Sequence, residues 1–342
     1  MSTATTPALS ASRHPGRERF AKPARARWGS NDNAAGTLTR TVPTAVIAFD
    51  FDPLLRLGDG AVRWETVGVA AAIFAALVLA GLAVRSLGLR LDDLLFVVLG
   101  IVPGAVVGGR LGYVFLHPAW FGLDPARILD PGIGSLELTI GVVGGALTGT
   151  VVAVLLDGQP GRWLHAGTLP TLVALAGGKL AMVLGGSGQG APWDGDLATA
   201  YLGPGPWGSL APAIPSHPSQ VYEALATVAI LIIVMALMTL PAVRRPDGRA
   251  FFLAMALWAL GRAVVAGTWR DPVASGPFRL EQVLDLAVAA AAVAIVVLIV
   301  VRALRRRGPA STGIDDDRRA TGPDPASDAI GRSASPDPAD RG

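Results

Sequence analysis

Between residues 45 and 307 the chain is a succession of long apolar runs broken by short polar stretches. The runs fall at about 66–84, 94–116, 136–156, 164–186, 221–241, 250–269 and 283–301. Each is close to the ~17–25 residues an α-helix needs to cross a bilayer, where only a helix or a closed barrel satisfies its own backbone. The second, third and fourth runs carry several glycines and one ionisable residue each, namely Arg110, Glu137 and Lys179. They are read as spanning all the same, because polar side chains inside a helical bundle are expected at functional positions. The pattern predicts an all-α integral membrane protein, a bundle of seven transmembrane helices over 45–307. Residues 1–44 and 308–342 are low-complexity stretches without apolar period, so two disordered tails are expected on either side of that domain. The first of them has no apolar h-region, and no cleavable signal peptide is expected.

Orientation follows from the short loops. With the amino terminus outside, the cytoplasmic segments hold Arg85, Arg90, Arg162, Arg244, Arg245, Arg249, Arg302, Arg305, Arg306 and Arg307. The outer loops then hold only Arg127, Arg270 and Arg279, and the loop 187–220 holds no Lys or Arg. This predicts an N-out, C-in topology. No internal repeat is visible, and an odd number of spans disfavours a transporter built from matched halves.

Composition agrees with the pattern. Hydrophobic residues make up 51% of the 342, and charged ones 16% against about 25% in ordinary soluble domains, which excludes a soluble α/β enzyme. The net charge of +3 comes from arginines scattered through membrane-flanking loops, without a nucleic-acid motif, so no nucleic-acid partner is expected. The chain has no cysteine, which rules out thiolate metal sites and a thiol nucleophile of its own.

Candidate chemistry sits where the spans are least apolar. Gly104, Gly108 and Gly112 line one helix face, as do Gly141, Gly145 and Gly149, and both stripes suit close helix packing. Gly144 and Gly145 equally offer room for a substrate beside the helix. Arg110, Lys179 and Arg262 are cations at membrane depth, set against Glu137, Glu223 and Asp285. Ion pairing within the bundle and contact with an anionic lipid headgroup both satisfy them, and charge counting alone does not choose. In Ser216-His217-Pro218-Ser219-Gln220-Val221-Tyr222-Glu223, His217, Gln220 and Glu223 share one side of a helix start. His217 there suits either a capping hydrogen bond or proton transfer near neutral pH. His117 and His165 are read as structural.

These stretches resemble a known family. His217-Pro218-Ser219-Gln220-Val221-Tyr222-Glu223 is similar to the HPSQLYE signature of the prolipoprotein diacylglyceryl transferases. Gly108-Gly109-Arg110-Leu111-Gly112-Tyr113-Val114 resembles their GGRxGYV segment, and Phe51-Asp52-Pro53 with Trp64 their amino-terminal FDP…W arrangement. Gly261-Arg262 with Trp269-Arg270-Asp271-Pro272 resembles the late FR…FFRxPD segment, and Gln282 sits where the family has GQ before its last helix. The likeness covers about residues 48–301.

The resemblance implies transfer of the diacylglyceryl group of phosphatidylglycerol to the cysteine thiol of a lipobox in a secreted precursor, giving a thioether and glycerol phosphate. It implies a multi-pass protein of the bacterial cytoplasmic (inner) membrane, with phosphatidylglycerol, a prolipoprotein signal peptide and membrane lipid as partners and no cofactor or metal. His217 with Glu223 would handle or orient the proton. Arg110, Lys179 and Arg262 would surround the lipid phosphate, with Gly144, Gly145, Gln220, Tyr222 and Arg270 shaping the substrate site. The chain departs from the family pattern in two places. Val143 stands where the family has a histidine before the paired glycines. In Gly178–Ser187 the GRxGNFxNGE motif is reduced, with Lys179 for arginine, Met182 and Gly185 for asparagines, and Ser187 for glutamate. A catalytically inactive homologue that binds phospholipid or precursor is therefore the alternative.

Overall fold

A computed structural model of the chain describes residues 46–122, 124–130 and 134–306. Its helices are α1 (Trp64–Ser86), α2 (Leu91–Leu116), the short α3 (Pro118–Phe121), α4 (Leu138–Asp157), α5 (Pro160–Gly185), α6 (Ser219–Leu237), α7 (Arg249–Val265) and α8 (Leu280–Arg305). Seven of them are long and apolar enough to cross a membrane, and each overlaps one of the predicted spans. Their ends are set by local chemistry. Glu137 caps α4 by accepting from the backbone N–H groups of Thr139 (2.8 Å) and Ile140 (2.6 Å). α5 begins earlier than its apolar run because Pro160, which needs no N–H partner, occupies the first turn. Left-handed glycines stop α4 at Gly158 (φ +68°) and α5 at Gly186 (φ +72°).

The glycine stripes of α2 and α4 pack on each other. A Cβ on Gly104 would lie 2.4 Å from the Gly144 carbonyl oxygen, one on Gly144 2.2 Å from that of Gly104, and one on Gly108 2.6 Å from that of Ile140. Two backbones approach this closely only where both lack side chains. α1 and α5 use the same device more loosely, with Gly68 against Ala181 and Gly177 against Ala72. A core of Leu172, Ile230, Val234, Phe251, Met255 and Trp258 joins α5, α6 and α7, and α7 is the most enclosed of the seven. Large apolar side chains on the other faces, such as Leu95, Leu99, Leu147 and Leu155, remain exposed, as lipid-facing positions of a spanning helix are.

Alternation of seven antiparallel helices brings the start of α1, α4, α6 and α8 and the end of α2, α5 and α7 to one end of the bundle. Short strands gather there that the hydrophobic pattern does not announce. β1 (Ile47–Phe49) pairs in parallel with β4 (Thr199–Tyr201), and β2 (Leu54–Leu57) with β3 (Gly60–Arg63) forms a hairpin turning at Gly58. β5 (Val273–Ser275) and β6 (Phe278–Arg279) form a second hairpin leading into α8. Runs of two to four residues carry too little alternation to be read as strands, and β1 meets its partner across more than half the bundle. The expected tails, 1–44 and 308–342, lie outside the described residues.

Candidate active site

Five of the six ionisable residues found inside the spans meet at this end of the bundle. Arg262, buried near the end of α7, is held on three sides: Nη1 donates to Glu223 Oε2 (3.2 Å), Nη2 to Glu137 Oε1 (3.4 Å) and Nε to Asp285 Oδ1 (3.3 Å). Lys179 Nζ reaches both oxygens of Glu223, at 3.0 and 2.9 Å. Thr139 Oγ1 donates to Asp285 Oδ1 at 2.6 Å, while Asp285 Oδ2 is buried without a partner among the described residues. The Trp269 ring covers the Arg262 guanidinium, 4.6 Å from centroid to Cζ. Two cations thus serve three carboxylates drawn from α4, α6 and α8. Charges out of water persist only when paired and hydrogen-bonded, and each partner here restrains the next.

Beside this cluster lies a polar cavity of about 550 Å³. Its charged lining is Lys179, Arg262 and Arg270 with Glu65, Glu137, Glu223 and Asp271. An apolar cavity of about 560 Å³, between α1, α2, α4 and α5, shares Leu136, Glu137, Leu138, Ala174 and Leu175 with it. Gly188 and Gln189 of the loop between α5 and α6 line one side of the polar space. Arg270 staples that loop, donating from Nε to the Gly190 carbonyl (2.6 Å) and from Nη2 to Ser216 Oγ (3.1 Å) and Gln189 Oε1 (3.3 Å). Buried Gln220 donates to the Tyr201 hydroxyl at 3.0 Å, and burial pushes that phenol up to about 12. Toward the rim, ligating atoms of His117, Asp271 and Glu281 all lie within 4.8 Å of one another, so these are the side chains placed to share a cation among the described residues.

Comparison with known proteins decides what this arrangement is related to. The family model for prolipoprotein diacylglyceryl transferase matches residues 53–298. The chain is 31% identical over 255 residues to the phosphatidylglycerol–prolipoprotein diacylglyceryl transferase of Geobacter sulfurreducens, covering 68% of this chain and 89% of that one. It is 32% identical over 244 residues to the Nitrobacter winogradskyi enzyme of the same name, covering 65% and 77%. A similarly named protein of Clostridioides difficile is 22% identical over 225 residues, covering 66% and 86%. The chain belongs to the prolipoprotein diacylglyceryl transferase family.

The residues expected to form a transferase site are only partly brought together. Lys179, Glu223, Arg262 and Arg270 line the polar cavity, and Gly145 lines the apolar one. Gly144 is taken up by its contact with Gly104. Arg110 is not in the cluster. It donates from Nε to the carbonyl of Ile128 (2.6 Å) and from Nη2 to those of Arg127 (2.8 Å) and Asp130 (2.9 Å), and it lies over the Phe121 ring. Its reach follows the chain leaving α2, while Glu137 and Asp285, the partners its charge suggested, face Arg262.

His217 and Glu223 are not joined by a hydrogen bond, because the carboxylate is occupied by Lys179 and Arg262. The His217 ring stacks on Trp193 with centroids 4.3 Å apart, edge-on to Tyr222, and burial holds its pKa below the ordinary imidazole range. It lines neither cavity, and neither does Val143, which is 42% exposed. Two contributors escaped sequence reading. Thr139 carries no charge to flag it, and Glu65 reads as an ordinary acidic residue in the first turn of α1.

Proposed function

We propose that this chain transfers the diacylglyceryl group of phosphatidylglycerol to the cysteine thiol of a lipobox-bearing precursor in the bacterial cytoplasmic membrane; its relatives are named for diacylglyceryl transfer between phosphatidylglycerol and prolipoprotein. The observation that carries this reading is the junction of two spaces. A polar cavity with Lys179, Arg262 and Arg270 meets an apolar one of similar size at Leu136, Glu137 and Leu138. A phospholipid has the same two parts, and its acyl chains and glycerol phosphate would divide at that seam.

The chemistry assigns separate tasks to the two buried cations. Arg262 faces three carboxylates, so it sets the field and the geometry of Glu223. Lys179 Nζ has three donors, of which Glu223 leaves at least one for a phosphate oxygen in the cavity. As the thiolate attacks the diacylglyceryl carbon, negative charge develops on the departing glycerol phosphate, where a fixed ammonium stabilises it most. Gln220, Tyr222, His217 and Arg270 hold the loop that lines the cavity. The reacting sulfur belongs to the substrate, since the chain has no cysteine.

A second reading, a homologue that binds phospholipid without turnover, is favoured by Val143 in the family's histidine position and by the reduced segment Gly178–Ser187. One assay separates the two. Purified protein in phosphatidylglycerol vesicles is given a lipobox peptide, and the thioether is sought by mass. The transferase reading expects product from the native chain, none in phosphatidylethanolamine vesicles, and at least about 100-fold less from Lys179→Met. Phosphatidylglycerol binding without product favours the second reading.

A further inference from the structure

A transferase of this kind must take a proton from the incoming thiol, and the two histidine positions that the motifs offer, His217 and Val143, line neither cavity. The acceptor has to be sought among groups that do. Four carboxylates line the polar cavity, and three are committed elsewhere. Glu137 caps α4 with both oxygens and also meets Arg262. Glu223 is divided between Lys179 and Arg262. Asp271 stands at the rim beside His117 and Glu281.

Glu65 is different. Its Oε2 accepts from Ser187 Oγ at 2.8 Å and faces Arg63 Nη2 at 3.3 Å, which fixes the side chain. Its Oε1 has no hydrogen-bond partner among the described residues, and the side chain is 20% exposed, in the cavity. Space for it is made by Gly185: a Cβ at that position would sit 2.0 Å from Oε2. Gly185 and Ser187 are two of the positions at which the chain departs from the family pattern, an amide and a carboxylate having been exchanged for a hydrogen atom and a hydroxyl. The three residues form one unit in which a carboxylate enters from α1 to meet the residue that elsewhere carries one.

We infer that Glu65 is the catalytic proton acceptor of this chain, an inference that rests on the transferase reading. Oε1 takes the S–H proton of the substrate cysteine. The sulfur forms a bond to the terminal glycerol carbon of the diacylglyceryl group as the C–O bond to the phosphate breaks. The electron pair leaves on the phosphate oxygen of glycerol phosphate, beside Lys179. The proton held by Glu65 then passes to the departing phosphate. Lys179 and Gly185 lie on one helix about 9 Å apart along its axis at ~1.5 Å per residue, a distance that a lysine side chain and the reacting atoms fill.

The test uses the full chain in phosphatidylglycerol vesicles with a lipobox peptide, from pH 7 to pH 9. Glu65→Gln is expected to lower the rate of thioether formation by about 100-fold or more at pH 7, the usual contribution of a general base. That deficit should shrink as the peptide thiol ionises unaided near pH ~8.5, which a merely structural loss would not do. Glu65→Asp should keep part of the rate. Gly185→Ala should reproduce the loss with Glu65 intact, because the added methyl evicts its carboxylate. Phosphatidylglycerol binding within about two-fold of the native chain, the scatter expected for an untouched phosphate contact, shows that the variants fold. Glu65→Gln that retains activity, or loses it equally at every pH, overturns the inference while leaving the transferase reading standing. Absence of product from the native chain overturns both.

Discussion

Arg262 holds together four elements through its side chain alone, and its removal exposes what each partner depends on. Arg262→Leu would leave Glu137, Glu223 and Asp285 facing one another with only Lys179 to share. Breaking a buried pair in this way costs about 3–5 kcal/mol, so the variant should unfold well below the native chain in a detergent melting experiment. Asp285→Asn is the instructive contrast. It removes the carboxylate in excess while keeping an oxygen for Thr139 and Arg262. Its melting temperature should equal or exceed that of the native chain. The direction of the His217 shift sets a third expectation. Its pKa is lowered by burial, so the unfolded state binds the extra proton first and stability falls as the pH drops below about 6.5, the ordinary imidazole value. His217→Gln should flatten that acid limb of a pH–stability profile.

Among elements, the α2–α4 pair is the most demanding of small residues. Gly144→Ala places a methyl 2.2 Å from a backbone oxygen that no rotamer change can move, so the helices must separate. Overpacking of this sort costs about 1–3 kcal/mol. Gly81→Ala on α1, where a Cβ meets nothing within 4 Å, should instead be neutral or gain about 0.5–1 kcal/mol through helix propensity. Paired melting curves of the two variants distinguish interface glycines from incidental ones. The stripes themselves were legible in the chain, because spacing by four on a helix is a one-dimensional signal. Which stripe met which was not, since that depends on the order of helices in the bundle. The same limit applies to the charges. Six ionisable residues within spans were visible at once, yet nothing along the chain separated Arg262, which binds three carboxylates, from Arg110, which binds carbonyls of the next loop. Glu65 and Ser187 are 122 residues apart and meet only because α1 packs along α5.

At the scale of the whole molecule, seven helices were predictable because crossing a bilayer fixes their length, whereas the short strands owe their pairing to the assembled bundle. Orientation is open to direct measurement, helped by the absence of native cysteine. The arginine distribution predicts that Ser209→Cys, in the loop that lines the cavity, is labelled by an impermeant maleimide added to intact cells. Ala242→Cys, between α6 and α7, should be labelled only after permeabilisation. The reverse pattern would turn the site to the cytoplasm, away from any secreted precursor. The central claim is that the joined polar and apolar cavities hold a phosphatidylglycerol molecule for cleavage at its glycerol carbon. It is tested most directly by incubating the native chain with a lipobox peptide and phosphatidylglycerol labelled in its headgroup glycerol. Labelled glycerol phosphate released in equal number to the thioether formed, and lost in Lys179→Met, is the predicted result. Label that stays in the lipid while the peptide remains unmodified would contradict it.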